Sequence, residues 1–146
     1  MAASAPPEVG QVIRHAYLWH SEARRGQEEG LKDRPCVVVH RRLNAEKLTE
    51  VFICPITHSP PQDPERAIEL PGRTKARLKL DAERQWIITT EINRFIWPGP
   101  DIRRAPDGSF SYGLLPGGLA RATAEQVQKN ARDRSIAMVE RPAKPD

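Results

Sequence analysis

The sequence predicts a mainly β fold, a small and partly open barrel of short strands with one α-helix packed on it towards the C-terminal end. Three observations predict it. Two β-branched runs, Arg34-Pro35-Cys36-Val37-Val38-Val39 and Val51-Phe52-Ile53-Cys54-Pro55-Ile56-Thr57, read as buried strands. Turn signals at Pro71-Gly72, Pro98-Gly99-Pro100 and Asp107-Gly108 separate further short apolar stretches. A single stretch, after Gly118, has the start signal and apolar spacing of a helix. At 146 residues the chain is expected to form one domain over 10–140, between flexible segments at 1–9 and 141–146.

Each element follows from its residues. Gly10 introduces a first strand over 12–19. Residues 20–33 are polar, with Gly26 and Gly30 as bends, and form either a loop or a short solvated helix. Strands follow over 35–41 and 50–57, joined through Asn44, and a short one over 67–70 stops at Pro71-Gly72. The runs 86–90 and 92–97 continue the β pattern until Pro98-Gly99-Pro100 breaks it. Asp107-Gly108 signals a hairpin between Arg103 and Tyr112. Thr123 with Gln126 forms a capping box, and Val127 and Ala131 give that helix a narrow apolar face. The count is roughly five to seven strands, with no internal repeat.

Charge and cysteine usage narrow the class. Lys plus Arg number 23 against 19 Asp plus Glu, and this net +4 permits a polyanionic partner without requiring one. Cys36 and Cys54 sit inside apolar runs, with no CxxC and no histidine at zinc-ligand spacing, so they read as small buried hydrophobes of a reducing compartment. No metal or cofactor is expected. The start of the chain lacks the basic and apolar regions of a signal peptide, and no apolar run reaches transmembrane length. A soluble, cytoplasmic protein with no membrane partner is expected.

Arg34 and Thr57 fall at opposite ends of neighbouring strands, where their side chains can reach one surface. Arginine offers a rigid fork of donors that suits a phosphate, and threonine adds a hydroxyl. The pair points to a phosphodiester site. The plainer alternatives are an Arg34 paired with Asp33 or Glu91, and a Thr57 hydroxyl capping the backbone. His58 and His20 are either an acid/base reserve or solvated side chains. Trp86 reads as core, whereas Trp97, at a Pro-Gly-rich exit, either stacks on a base or covers the barrel end.

Taken in order, Gly10-x-Val12-Ile13, an acidic Gly-containing loop, Arg34-Pro35 before valines, Pro55-Ile56-Thr57, and Glu91-x-Asn93-Arg94 resemble the MazF/PemK toxin family over about residues 10–96. The resemblance implies an SH3-like barrel related to the gyrase poison CcdB. It also implies a homodimeric, metal-independent, sequence-specific endoribonuclease acting on single-stranded RNA and neutralised by a cognate antitoxin protein. By position it assigns catalysis to Arg34, Thr57 and Glu91, and RNA contact is expected of His20, His58, Asn93, Arg94 and Trp97. One branch of that family has an arginine two residues before the glutamate, where this chain has Thr89. The stretch 97–115 is a further departure from the common short members. Metal-free cleavage needs a base for the ribose 2′-hydroxyl, an acid for the leaving 5′-oxygen and positive charge at the phosphorus. The rival reading is a barrel of the same kind that binds RNA, DNA or a protein such as gyrase without catalysis, and a third is an adaptor whose strings serve packing alone.

Overall fold

Residues 5–30 and 32–142 are described by the computed structural model. In chain order they form β1 (Gln11–Ala16), α1 (His20–Arg24), β2 (Asp33–Leu43), β3 (Thr49–Thr57), β4 (Ala67–Glu69), α2 (Gly72–Arg77), β5 (Trp86–Ile88), β6 (Glu91–Ile96), β7 (Ser111–Leu114), α3 (Gly117–Arg132) and β8 (Ala137–Glu140). A 3-10 turn, Pro64–Arg66, precedes β4. The strands make one curled, largely antiparallel sheet of half-barrel shape in the order β4-β5-β3-β2-β1-β7. β6 pairs with β3, and β8 runs parallel to β6.

The central stretches of β2, 36–39, and β3, 51–56, are continuously apolar because the sheet there is covered on both faces. One face packs Val37, Val39, Phe52, Cys54 and Ile56 against Leu119, Ala120 and Val127 of α3. The other packs Ile13, Cys36, Val38, Val51 and Ile53 around Tyr17, Phe95 and Trp97. A bulge in β2 between Val38 and His40 bends the sheet. β3 is the trunk: its free edge takes β6 along Glu50–Ile53 and then β5 at Ile56 and Thr57. Pro55, which has no amide hydrogen to give, stands at this fork. The fork splays β5 from β6 and opens the sheet beside the end of β3.

Several expectations need correction. The helix starts after Pro116, not at Thr123, which lies inside α3, fully buried, and donates to the Leu119 carbonyl at 2.8 Å. The Asp107-Gly108 turn exists, with Gly108 at φ 87° and the Ala105 N–H donating across it to the Ser109 carbonyl at 2.8 Å, and beyond that tight turn the flanking chain pairs with β1. The 97–115 departure thus lines an otherwise open edge of β1. The 20–33 stretch begins as the short helix α1, and eight strands form among the described residues. Arg141, expected in a flexible tail, is buried: Nε donates to Asp101 at 2.9 Å and Nη2 to the Glu28 carbonyl at 2.8 Å. Of the expected N-terminal segment, residues 1–4 lie outside the described residues, and Pro7 is buried with its carbonyl accepting Arg41 at 2.9 Å. Among the described residues no helix is long and apolar enough to cross a membrane.

Candidate functional site

A cavity of about 590 Å³ opens at the fork, between the start of β2, the end of β3, the β5–β6 turn and the 59–63 loop. Arg34, second residue of β2, Thr57, last of β3, and Glu91, first of β6, all line it. They come from three distant stretches of chain and meet because β2 and β6 both flank β3.

Arg34 is half-buried, its Cζ 5.2 Å from the ring centroid of Trp19, another wall of the cavity. Its Nε is buried and has no hydrogen-bond partner. The neutralising partners suggested by the sequence are not used. Asp33 turns to Arg103 at 3.6 Å, and Arg34 forms no ion pair among the described residues. Thr57 Oγ1 accepts the Ser59 N–H at 3.1 Å, which caps the strand end and still leaves the hydroxyl proton to donate. Glu91 Oε1 accepts from the Tyr17 hydroxyl and from the His20 backbone N–H, each at 3.1 Å. Burial pushes the Glu91 carboxyl above its ordinary range, opposed by those two hydrogen bonds.

The remaining candidates lie elsewhere. Asn93 is at 0 % exposure and spends both ends of its amide on Leu18, accepting its N–H at 2.9 Å and donating to its carbonyl at 2.7 Å. It clamps the chain leaving β1 and offers nothing to a ligand. Trp97, at 9 % exposure, packs in the core against Phe95 and Phe110, so it covers the barrel interior and presents no stacking platform. Arg94 sits opposite Phe52 and pairs with Glu140 of β8. His58 points away from the cavity, where Nε2 meets Asp81 at 2.8 Å. His20 contributes its backbone amide to the site.

His58, Asp81 and Glu83 form a group, all exposed, whose ligand-type atoms lie within 4.8 Å of one another. They stand outside the cavity wall. Cys36 and Cys54 are free and buried, and burial pushes both thiols far up, so neither is a nucleophile at neutral pH.

Sequence reasoning passed over Trp19, Tyr17 and Arg66. A signal existed for the first two: Tyr17 and Trp19 stand two apart where the first strand ends, so period 2 puts them on one side. Arg66 had none. It reaches the cavity from the 3-10 turn, held by Asn130 Oδ1 at 3.0 Å and by Asp63 at 3.3 Å. Thr89 is sealed in the interior, donating to the Arg66 carbonyl at 2.6 Å and bonded to Gln126. Arg66 is the cavity's second guanidinium beside Arg34. Compared with known proteins, the chain matches no family model and no curated protein. The arrangement as it stands can hold an anion, donate a hydrogen bond to it and move a proton beside it.

Proposed function

We propose that this chain is a toxin-type endoribonuclease that cleaves single-stranded RNA in the Arg34 cavity without a metal ion. A cognate antitoxin protein laid over the same groove would neutralise it, and an SH3-like barrel acting as a homodimer completes the reading. One observation carries it: the Arg34 guanidinium, which forms no ion pair among the described residues, lines a cavity beside a hydroxyl donor and a carboxylate. A guanidinium without a counter-ion in a cavity wall favours a phosphate oxygen entering beside it, through charge-assisted hydrogen bonds. In the reaction Glu91 takes the proton of the 2′-hydroxyl, and the 2′-oxygen bonds to phosphorus. The bond to the 5′-oxygen breaks, and that oxygen takes a proton from Arg34 or water. Arg34 and Thr57 hold the charge that builds on the phosphoryl oxygens. The absence of an Arg34–Glu91 ion pair favours Glu91 as a base over Glu91 as a counter-ion.

The buried Thr89 is the observation that favours the rival, a barrel that binds without cleaving. Incubating purified protein with a long RNA in excess EDTA and mapping the ends separates the two. Discrete cuts ending in 2′,3′-cyclic phosphate and 5′-hydroxyl are expected. RNA bound but intact identifies the binding module. Cleavage that stops in EDTA and returns with Mg²⁺ refutes the metal-free mechanism and directs attention to His58, Asp81 and Glu83.

A further inference from the structure

Tyr17 lies at 1 % exposure in the core, and its hydroxyl donates to Oε1 of the cavity-lining Glu91 at 3.1 Å. The His20 backbone N–H reaches the same oxygen at 3.1 Å. Oε2 has no hydrogen-bond partner among the described residues. Both donors belong to the chain leaving β1, and Asn93, two residues along β6 from Glu91, clamps that chain at Leu18. Donors and acceptor are thus parts of one rigid unit. A glutamate has three rotatable bonds, and fixing one oxygen from two directions removes most of that freedom before any substrate arrives.

We propose that Tyr17 is a positioning residue, whose hydroxyl anchors Glu91 through Oε1 and leaves Oε2 as the oxygen that meets the ribose 2′-hydroxyl. The inference rests on the proposed reading of the cavity as an RNA-cleaving site with Glu91 as its base. The hydroxyl also bears on protonation. A donor to a carboxylate favours the ionised form, so Tyr17 opposes the burial that pushes Glu91 towards its neutral, non-basic form. Tyr17 keeps its own proton, since burial and the neighbouring Glu91 push its pKa well up, and it remains a donor across the working pH range.

Other groups face Glu91. On α1, His20 lowers and Glu22 raises its pKa, in opposite senses. The Cys54 thiol on β3 is held neutral by burial. Arg34, Asp63 and Arg66 stand on the other walls of the cavity. Of these neighbours, Tyr17 is the one side chain that donates a hydrogen bond to the carboxylate.

Tyr17→Phe removes the hydroxyl and keeps the ring in the core. With glutamate carboxyls labelled with ¹³C and Glu91→Gln assigning the signal, the Glu91 titration should move to higher pH in Tyr17→Phe than in the wild-type protein. His20→Pro deletes the second donor at a first-turn position that tolerates proline, and should move the titration the same way. In RNA cleavage the acid limb of kcat/KM should move up with it, so the deficit of Tyr17→Phe is larger below the limb than on the plateau, with KM within about twofold. An unmoved Glu91 titration overturns the proposal, and so does a moved titration with an unmoved acid limb. If the wild-type protein cleaves no RNA, the reading of the cavity fails, and the NMR titration by itself decides whether Tyr17 anchors Glu91.

Discussion

The His15 imidazole lies wholly inside the second core, stacked on Phe95 with ring centroids 4.9 Å apart, and neither ring nitrogen has a hydrogen-bond partner. Burial, reinforced by the Arg141 and Arg103 cations, pushes its pKa from the ordinary 6.5 down to about 3. Between those values the unfolded chain binds a proton that the folded chain does not. The stability contributed by neutral His15 is therefore complete above pH 6.5 and is lost as pH falls towards 3. One proton sets a ceiling of about 1.4 kcal/mol per pH unit. Glu91 acts in the opposite sense, because its raised pKa lets the folded chain take up a proton first. Carboxylates lowered by hydrogen bonds, such as Asp81 and Glu69, release their contributions only below about pH 4.5. Replacing His15 by Leu should flatten the decline in urea-unfolding stability between about pH 6.5 and 4.5 relative to wild type, without loss at pH 7. An unchanged slope would show that this imidazole is not the proton-linked group. A histidine in the run 12–19 is visible in the sequence, but its missing partners are not, since they depend on what Phe95 and Arg141 bring from elsewhere.

Among elements, the loop between α1 and β2 shows how much depends on backbone approach. A Cβ at Gly30 would stand 2.4 Å from the Tyr17 carbonyl and 2.7 Å from that of Ala16, so this glycine exists to let the loop cross the end of β1. Arg141 ties the same loop through the Glu28 carbonyl. Gly30→Ala should cost about 1–3 kcal/mol, because backbone must part where it cannot yield locally. Gly118, in the first turn of α3, has open space around it and should gain up to about 0.5–1 kcal/mol as alanine. Chemical denaturation of the two variants checks the pair, and equal effects would refute the assignment of Gly30 to a close contact. The sequence marks both as glycines and no more. Likewise α2 was not legible, because it buries Thr74 and Lys75 in place of an apolar stripe, and the Lys75 ammonium is satisfied by the Ala82 and Glu83 carbonyls. The strands were legible because β2 and β3 are buried on both faces, which turns burial directly into runs of valine and isoleucine.

Over the whole molecule, the site is a product of topology. β3 takes β2 on one edge and the β5–β6 fork on the other, and the cavity forms where those strands end. That geometry brings Arg34, Thr57 and Glu91 to one cavity; the ends of legible strands pointed to Arg34 and Thr57, whereas Glu91 came from the resemblance alone. The outlying candidates departed for identifiable reasons. Asn93 and Trp97 point into the interior by strand alternation, Arg94 is drawn to β8, and His58 faces outward between the cavity-lining Thr57 and Ser59. Arg66 arrives through the 3-10 turn and α3, contacts that span the chain and leave no local pattern. Under the proposed function the Arg34 guanidinium, which forms no ion pair among the described residues, holds the phosphodiester in its transition state. The most direct test compares cleavage of a long RNA by the wild-type protein and by Arg34→Ala, with circular dichroism as the check on folding. A loss of about 10²-fold or more with the fold retained is predicted, on the scale of removing one oxyanion donor. Unchanged cleavage by a folded Arg34→Ala protein would contradict the account.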